Sequence, residues 1–230
     1  MKNRFRNPGA QTGFTLVEIA IVLVIIGLLL GGILKGQEMI TQAKIKNVIN
    51  DMTGVAAAVY AYQDRYRALP GDDKNAGTRW SSSFAGNGDG VISGTYSVTP
   101  PSPLDNTAAE TVLFWHHLRL AGFVQGTGAD QPFNSVSGKM GVQTGNGASP
   151  PVGVLGTGNA TTNPITALIM CSANLPDKIA ISVDSQTDDG IGNTGTVRGQ
   201  LQSAPNPPIS DTASLYTETG TSTYVVCKTL

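Results

Sequence analysis

From Phe14 to Leu34 the chain reads FTLVEIAIVLVIIGLLLGGIL, with Glu18 as its one charged residue. As a helix this stretch is about 31 Å long at 1.5 Å per residue, enough to cross a hydrocarbon core of about 30 Å. Ile19 to Leu34 contains no polar side chain, which argues against a water-soluble core helix, one face of which must meet solvent. A secretory signal peptide fits no better. It needs an apolar stretch of about 7–15 residues followed by a small-residue cleavage site. Here the stretch is longer, and Lys35-Gly36-Gln37-Glu38 behind it opens a helical pattern.

The flanks orient the segment. Lys2, Arg4 and Arg6 precede it with no acid among the first 13 residues, so the N-terminus is expected to stay in the cytoplasm. Lys35, Lys44 and Lys46 beyond it weaken this asymmetry without reversing it. A carboxylate inside such a run costs roughly 2.5–3.5 kcal/mol if placed centrally and less near the interface. Glu18 is therefore either a residue at headgroup depth or a functional group with a partner.

The residues around Glu18 separate these readings. Gly13-Phe14-Thr15-Leu16-Val17-Glu18, after a short basic leader and before a long apolar run, resembles the type IV prepilin processing motif shared by type IV pilins and the pseudopilins of type II secretion. The resemblance implies cleavage between Gly13 and Phe14 by a membrane prepilin peptidase, and N-methylation of the new terminus at Phe14. Residues 1–13 are then a leader outside the working protein. Cleavage gives Phe14 a charged amine. In a filament core of apolar helices an unpaired amine and an unpaired carboxylate are each costly. Glu18 of an incoming subunit is therefore expected to pair with the Phe14 amine of a subunit already assembled, which fixes the axial stagger.

Beyond Lys35 the apolar residues become periodic. Ile45, Val48, Ile49, Met52, Val55, Ala56, Val59, Tyr62 and Tyr66 follow 3- and 4-residue steps along one helical face. The pattern predicts a helix over residues 14–66, about 78 Å long. Residues 14–34 form its membrane and assembly half, and the stripe beyond packs on a head. Gly27, Gly31, Gly32 and Gly36 interrupt the apolar half at about 1 kcal/mol each. They allow close helix packing or mark a stretch able to unwind. Leu69-Pro70-Gly71 ends the helix. The expected division is a leader (1–13), a stalk (14–67) and a globular head (68–230). The fold class that pattern and resemblance imply is α+β, a long N-terminal helix packed on a small antiparallel sheet, as in the type IV pilin fold.

Composition describes the head. Residues 68–230 hold 21 of the 28 glycines and twelve acids against seven bases, so short strands, long loops and an aversion to nucleic acid are expected. Residues 107–121 read as a helix, with Thr107 and Glu110 as a capping box. Residues 178–184 (KIAISVD) and 223–227 (TYVVC) read as strands by β-branched content, and 125–164 as loop. Cys171 and Cys227 are two thiols in a cytosolic protein or one disulfide in an exported one. The resemblance, which implies export and a C-terminal disulfide in many pilins, favours the bridge and a closed loop 171–227.

Gly86-Asn87-Gly88-Asp89-Gly90-Val91-Ile92 partly matches a calcium loop. Its first acidic ligand and its final Glu are replaced by Ala85 and Tyr96. Asn87 and Asp89 with Asp72 or Asp73 folded back would complete a calcium site, and some pseudopilins carry calcium in the head. The plainer reading is a tight Asn-Gly/Asp-Gly turn. Asp188-Asp189-Gly190 near Asp184 is a second oxygen-rich loop, also read as a turn. His116 and His117 are adjacent and point about 100° apart on a helix, so they suit surface or core-edge positions better than chelation. Tyr60, Tyr62 and Tyr66 read as core at helical spacing. No phosphate-binding G-x-x-x-x-G-K-[ST] and no defensible catalytic motif occurs.

The sequence thus reads as a structural subunit and not an enzyme, inserted singly in the bacterial inner membrane with its N-terminus inside. It is expected to pass from prepilin peptidase/N-methyltransferase to an inner-membrane assembly platform, and then into a periplasm-spanning or extracellular filament of identical or related pilin subunits. A type II secretion pseudopilin is the near alternative. A singly anchored periplasmic enzyme or binding protein is a third reading. It predicts that Phe14 and Glu18 are dispensable and that residues 67–230 alone are active.

Overall fold

The computed structural model describes residues 15–81, 83–158 and 161–230. Its elements in chain order are α1 (Leu16–Tyr66), α2 (Ala76–Arg79), α3 (Glu110–Leu120), β1 (Met140–Thr144), β2 (Leu168–Pro176), α4 (Asp177–Thr187), β3 (Val197–Leu201) and β4 (Thr223–Thr229). The chain divides into two units, one ending at Gln42 and one running from Ala43 to Leu230.

In the first unit α1 is an unbroken helix, and every residue from Leu16 to Leu34 is exposed. The stretch is long and apolar enough to cross a membrane, and nothing in the structure covers it. A Cβ added at Gly27, Gly31, Gly32 or Gly36 would meet no atom within 4 Å. These glycines therefore relieve no crowding within the subunit.

In the second unit the rest of α1 buries Ile45, Val48, Met52, Val55, Ala58, Val59 and Tyr62. Ile49 and Tyr66 flank this stripe half-buried, and Tyr60 is exposed. The stripe shares one core with Phe114, Trp115 and Leu118 of α3, Ile179 and Val183 of α4, and Met140, Met170 and Val226 of the sheet. The helix stops because Arg67 adopts a left-handed conformation (φ 56°) while its N–H still bonds the Gln63 carbonyl, and Pro70 cannot continue it. At Gly71 (φ 92°) a Cβ would lie 2.5 Å from the Glu110 carbonyl oxygen, so this turn accepts only glycine.

The sheet is antiparallel throughout, in the order β1-β2-β4-β3. Its central strands are covered on both faces. Met170, Leu175, Tyr224 and Val226 join the helical core, while Ile169, Cys171, Ala173, Val225 and Cys227 meet Tyr96, Val154, Leu155 and Ile165 from the loops. This two-sided burial is why TYVVC carries no polar alternation.

Three local expectations are corrected. Residues 178–184 lie in helix α4, not a strand. Ile179, Ile181 and Val183 fit a two-residue period, but the buried positions are Ile179, Ala180, Val183 and Asp184, a helical face. The supposed loop 125–164 contains β1, whose Gly141 and Gln143 lack strand propensity. Gln143 is instead held by one distant and one local bond, accepting from the Tyr96 N–H and donating to the Gly145 carbonyl. The Thr107–Glu110 capping box does not form. Helix α3 starts at Glu110 behind Ala109 without a side-chain cap. Thr107 bonds Asp105, and Glu110 reaches across to Asn87 and Ser93.

The histidines are also buried more deeply than expected. His117 is fully buried. Its Nδ1 accepts the Gly71 N–H at 2.9 Å, so its Nε2 donates to the Phe84 carbonyl at 2.9 Å. One neutral tautomer thus ties the turn after α1 to α3. Burial lowers its pKa to about 4. His116 is buried too, with Nδ1 3.2 Å from the Gly128 carbonyl.

Candidate functional site

The first described residues build a reciprocal cap. Thr15 accepts the first bond of α1 at its carbonyl, from the Ile19 N–H. The Thr15 hydroxyl accepts the Glu18 N–H at 3.2 Å, and Glu18 Oε2 accepts both the Thr15 N–H and the Thr15 hydroxyl at 2.8 Å. Two of the orphan amides at the helix start are satisfied this way, and a negative charge sits at the positive end of the helix. Gly13 and Phe14, the residues of the expected cut, lie outside the described residues. Apolar surface lies on both sides of Glu18: Leu16 before it is 87% exposed and Leu23 after it is 64% exposed. The motif therefore joins a charged, locally satisfied carboxylate to a surface that water does not tolerate.

In the head Cys171 and Cys227 are joined by a disulfide. They are directly opposed on β2 and β4, with Cα atoms 4.0 Å apart and both residues fully buried. The bridge fastens the two central strands to each other inside the loop-covered core.

The calcium-like loop gathers a different set from the one the sequence suggested. Asp72, Asp89 and Glu110 each bring a carboxylate oxygen within 4.8 Å of the others. Asp73 turns away. Its Oδ2 accepts the Tyr62 hydroxyl at 2.8 Å and Arg79 Nη1 at 2.5 Å, and the guanidinium lies over the Tyr66 and Trp80 rings. Burial works to raise the Asp73 carboxyl, but Arg79, the Asn75 amide and Tyr62 outweigh it and hold it below the usual range. Asn87 is spent within the turn, its Oδ1 accepting the Asp89 N–H.

The oxygens of this cluster are well supplied with donors. Asp72 Oδ1 accepts the Gly88 and Asp89 amides and Oδ2 the Gly90 amide. Glu110 Oε1 accepts the Asn87 amide and Oε2 the Ser93 amide and hydroxyl. Burial still leaves the Asp72 carboxyl raised despite the Gly90 and Gly88 amides. The donor set suits a hard cation, through Asp72, Asp89 and Glu110 and without Asp73 or Asn87. No sequence spacing pointed to Glu110, which enters from α3 after a long excursion.

The family comparison falls on the N-terminal segment. The prokaryotic N-terminal methylation motif matches residues 9–34. The chain carries a prepilin-type signature. This is the signature of type IV pilins and pseudopilins, and it covers the expected cut, the Thr15–Glu18 cap and the exposed apolar run, ending where that run ends. No curated protein and no solved structure matches the chain. The prepilin signature is thus joined to a head whose reading rests on its own geometry.

Proposed function

We propose that the chain is the structural subunit of a type IV pilus-like filament, processed by prepilin peptidase and polymerised through its apolar N-terminal helix. The observation that carries this reading is the prepilin signature placed directly on a helix exposed from Leu16 to Leu34. Such a surface must be buried in lipid before assembly and among neighbouring helices after it. Cleavage between Gly13 and Phe14, methylation of Phe14, N-in insertion in the bacterial inner membrane and delivery to an assembly platform follow from the same reading. Glu18 then pairs with the Phe14 amine of a neighbouring subunit. The chain is a substrate of enzymes and works by assembly, not catalysis.

The signature is shared with pseudopilins, so a type II secretion pseudopilus is the second reading. Intact mass and N-terminal sequencing of the mature protein test the processing: methylated Phe14 at the start is expected, and a chain still beginning at Met1 overturns it. Electron microscopy and secretion assays of a deletion strain separate the two filaments. Lost surface pili favour the pilus, and lost exoprotein secretion with intact pili favours the pseudopilus. Calcium at Asp72, Asp89 and Glu110 is proposed for the head because their oxygens converge within 4.8 Å. A calcium-dependent melting shift abolished by Asp89→Asn is its test.

A further inference from the structure

Asn-Gly occurs twice in the chain, at Asn87-Gly88 and Asn146-Gly147. In this dipeptide the glycine leaves its backbone nitrogen unshielded, so that nitrogen can attack the asparagine side-chain amide. The attack closes a five-membered succinimide and expels ammonia, and water then opens the ring to aspartate or isoaspartate. Both steps read Gly-Asn-Gly, so what separates them is the fold.

The first step is held shut. The Gly88 N–H donates to Asp72 Oδ1 at 2.6 Å, so a nitrogen anion formed there would face a carboxylate of like charge. Asn87 Oδ1 accepts one amide, that of Asp89, and its Nδ2 donates to Asp89 Oδ2 at 3.1 Å.

The second step is arranged differently. Asn146 is exposed on the turn after β1. Its Oδ1 accepts two backbone amides, those of Ala148 and Val152, each at 3.1 Å. The bond to Ala148 makes an Asx turn, which folds the carboxamide back along the Gly147 peptide. When the Gly147 nitrogen attacks Cγ, negative charge develops on Oδ1, the atom at which both amides already point. This is the arrangement of an oxyanion hole. Asn146 Nδ2, the leaving nitrogen, makes no hydrogen bond among the described residues. The Gly147 N–H donates to the Thr144 carbonyl at 2.8 Å. That acceptor is neutral, so one ordinary hydrogen bond opens before the attack.

The turn also selects the product. The Asn146 N–H bonds the Val152 carbonyl, and the Gly147 carbonyl accepts the Gly94 N–H. A Cβ at Gly147 would collide with the Gly94 carbonyl oxygen. An isoaspartate adds a carbon to the backbone between residues 146 and 147, where this packing leaves no room. An aspartate keeps the backbone, and its carboxylate holds the Ala148 and Val152 amides by stronger, charge-assisted bonds.

We propose that Asn146 is a self-modification site of the folded head. The Gly147 nitrogen gives its proton to water, bonds to Asn146 Cγ and expels Nδ2 as ammonia, and a second water opens the succinimide to aspartate. The exposed turn gains one negative charge without an enzyme.

The test is incubation of the full chain in detergent micelles at neutral pH, beside a sample in denaturant. Aliquots are digested at acidic pH and mapped by mass spectrometry for the amide-to-acid mass gain. In the folded chain Asn146 is expected to convert about tenfold or more faster than Asn87, given what two oxyanion donors and one opposing carboxylate are worth. In denaturant the two rates converge and the isoaspartyl share rises. Asn146→Gln, which would need a six-membered ring, stays unconverted at that position. Asn146→Asp, the product itself, melts no lower than the parent. An Asn146 that stays intact in the folded chain but converts in denaturant overturns the proposal. So does equal conversion of Asn87 and Asn146 in the folded chain, and so does an Asn146→Asp chain that melts well below the parent.

Discussion

Glu18 and Thr15 hold each other: the Glu18 carboxylate accepts the Thr15 amide and hydroxyl, and the Thr15 hydroxyl accepts the Glu18 amide. The carboxylate that the filament reading assigns to a neighbour is thus already satisfied within its own subunit. Both bonds fall on Oε2, so an incoming amine can meet the carboxylate without first dismantling the cap.

Glu18→Ala is expected to insert in the membrane and to be processed, yet to give few or no filaments. Thr15→Val removes the hydroxyl from the cap and costs about 1 kcal/mol of helix start; it is expected to lower filament yield less than Glu18→Ala. Shear preparations and immunoblots of the membrane fraction measure both. Normal filament yield from Glu18→Ala would sink the pairing idea.

His117 makes head stability depend on pH in a defined window. Its folded pKa is about 4, below an unfolded value near 6.5. The unfolded chain therefore binds the extra proton first. Stability is unaffected above about pH 6.5, falls as pH drops from there towards 4, and levels below it, for a loss of about 3 kcal/mol. Asp72 and Asp184, whose carboxyls burial raises, act in the opposite sense. The difference between the parent and His117→Gln isolates the histidine. Denaturant melts at pH 4, 5, 6 and 7 should show a steeper fall in the parent.

The stripe from Ile45 to Tyr66 and the strand TYVVC were legible because each buries a periodic or continuous apolar set that no other arrangement satisfies. The methylation motif was legible because it is local. The rest depended on partners far along the chain. Met140–Thr144 becomes a strand because β2 pairs with it and Tyr96 meets Gln143. Glu110 looked like a helix cap and is instead the anchor of the loop at Asn87 and Ser93. In KIAISVD two periods coexist, and the helix won because Ala180 and Asp184, not Ile181, are the buried partners of Ile179 and Val183. In the candidate site, Asp72 and Asp89 were named from sequence, while Asp73 went to Arg79.

The Asp73–Arg79 pair should be costly to break from one side. Asp73 is almost wholly buried while Arg79 keeps partial access to water. Arg79→Ala leaves a buried carboxylate with only Tyr62 and the Asn75 amide, and also strips the cation from the Tyr66 and Trp80 rings. Removing one partner of a fully buried pair costs about 3–5 kcal/mol, so about 2–3 kcal/mol is expected here, given the exposure of Arg79. Asp73→Asn, which leaves a cation with partial access to water and no buried carboxylate, should cost less. Equilibrium denaturation of the two variants decides the order, and an equal or larger loss in Asp73→Asn would contradict the account.

Cys171 and Cys227 should resist reductant in the native chain and yield once it unfolds. Both are fully buried between β2 and β4, so a thiolate reaches the bridge only through opening of the central strand pair, the part of the head with core on both faces. Dithiothreitol at neutral pH followed by alkylation and intact mass should leave the folded protein unmodified and label two thiols in denaturant. The Cys171→Ala/Cys227→Ala double variant should lose about 2–4 kcal/mol, because the unfolded chain regains the freedom of the loop between the two residues. Rapid labelling of the native protein would mean that β2 and β4 separate readily, and the bridge would then be what holds them together.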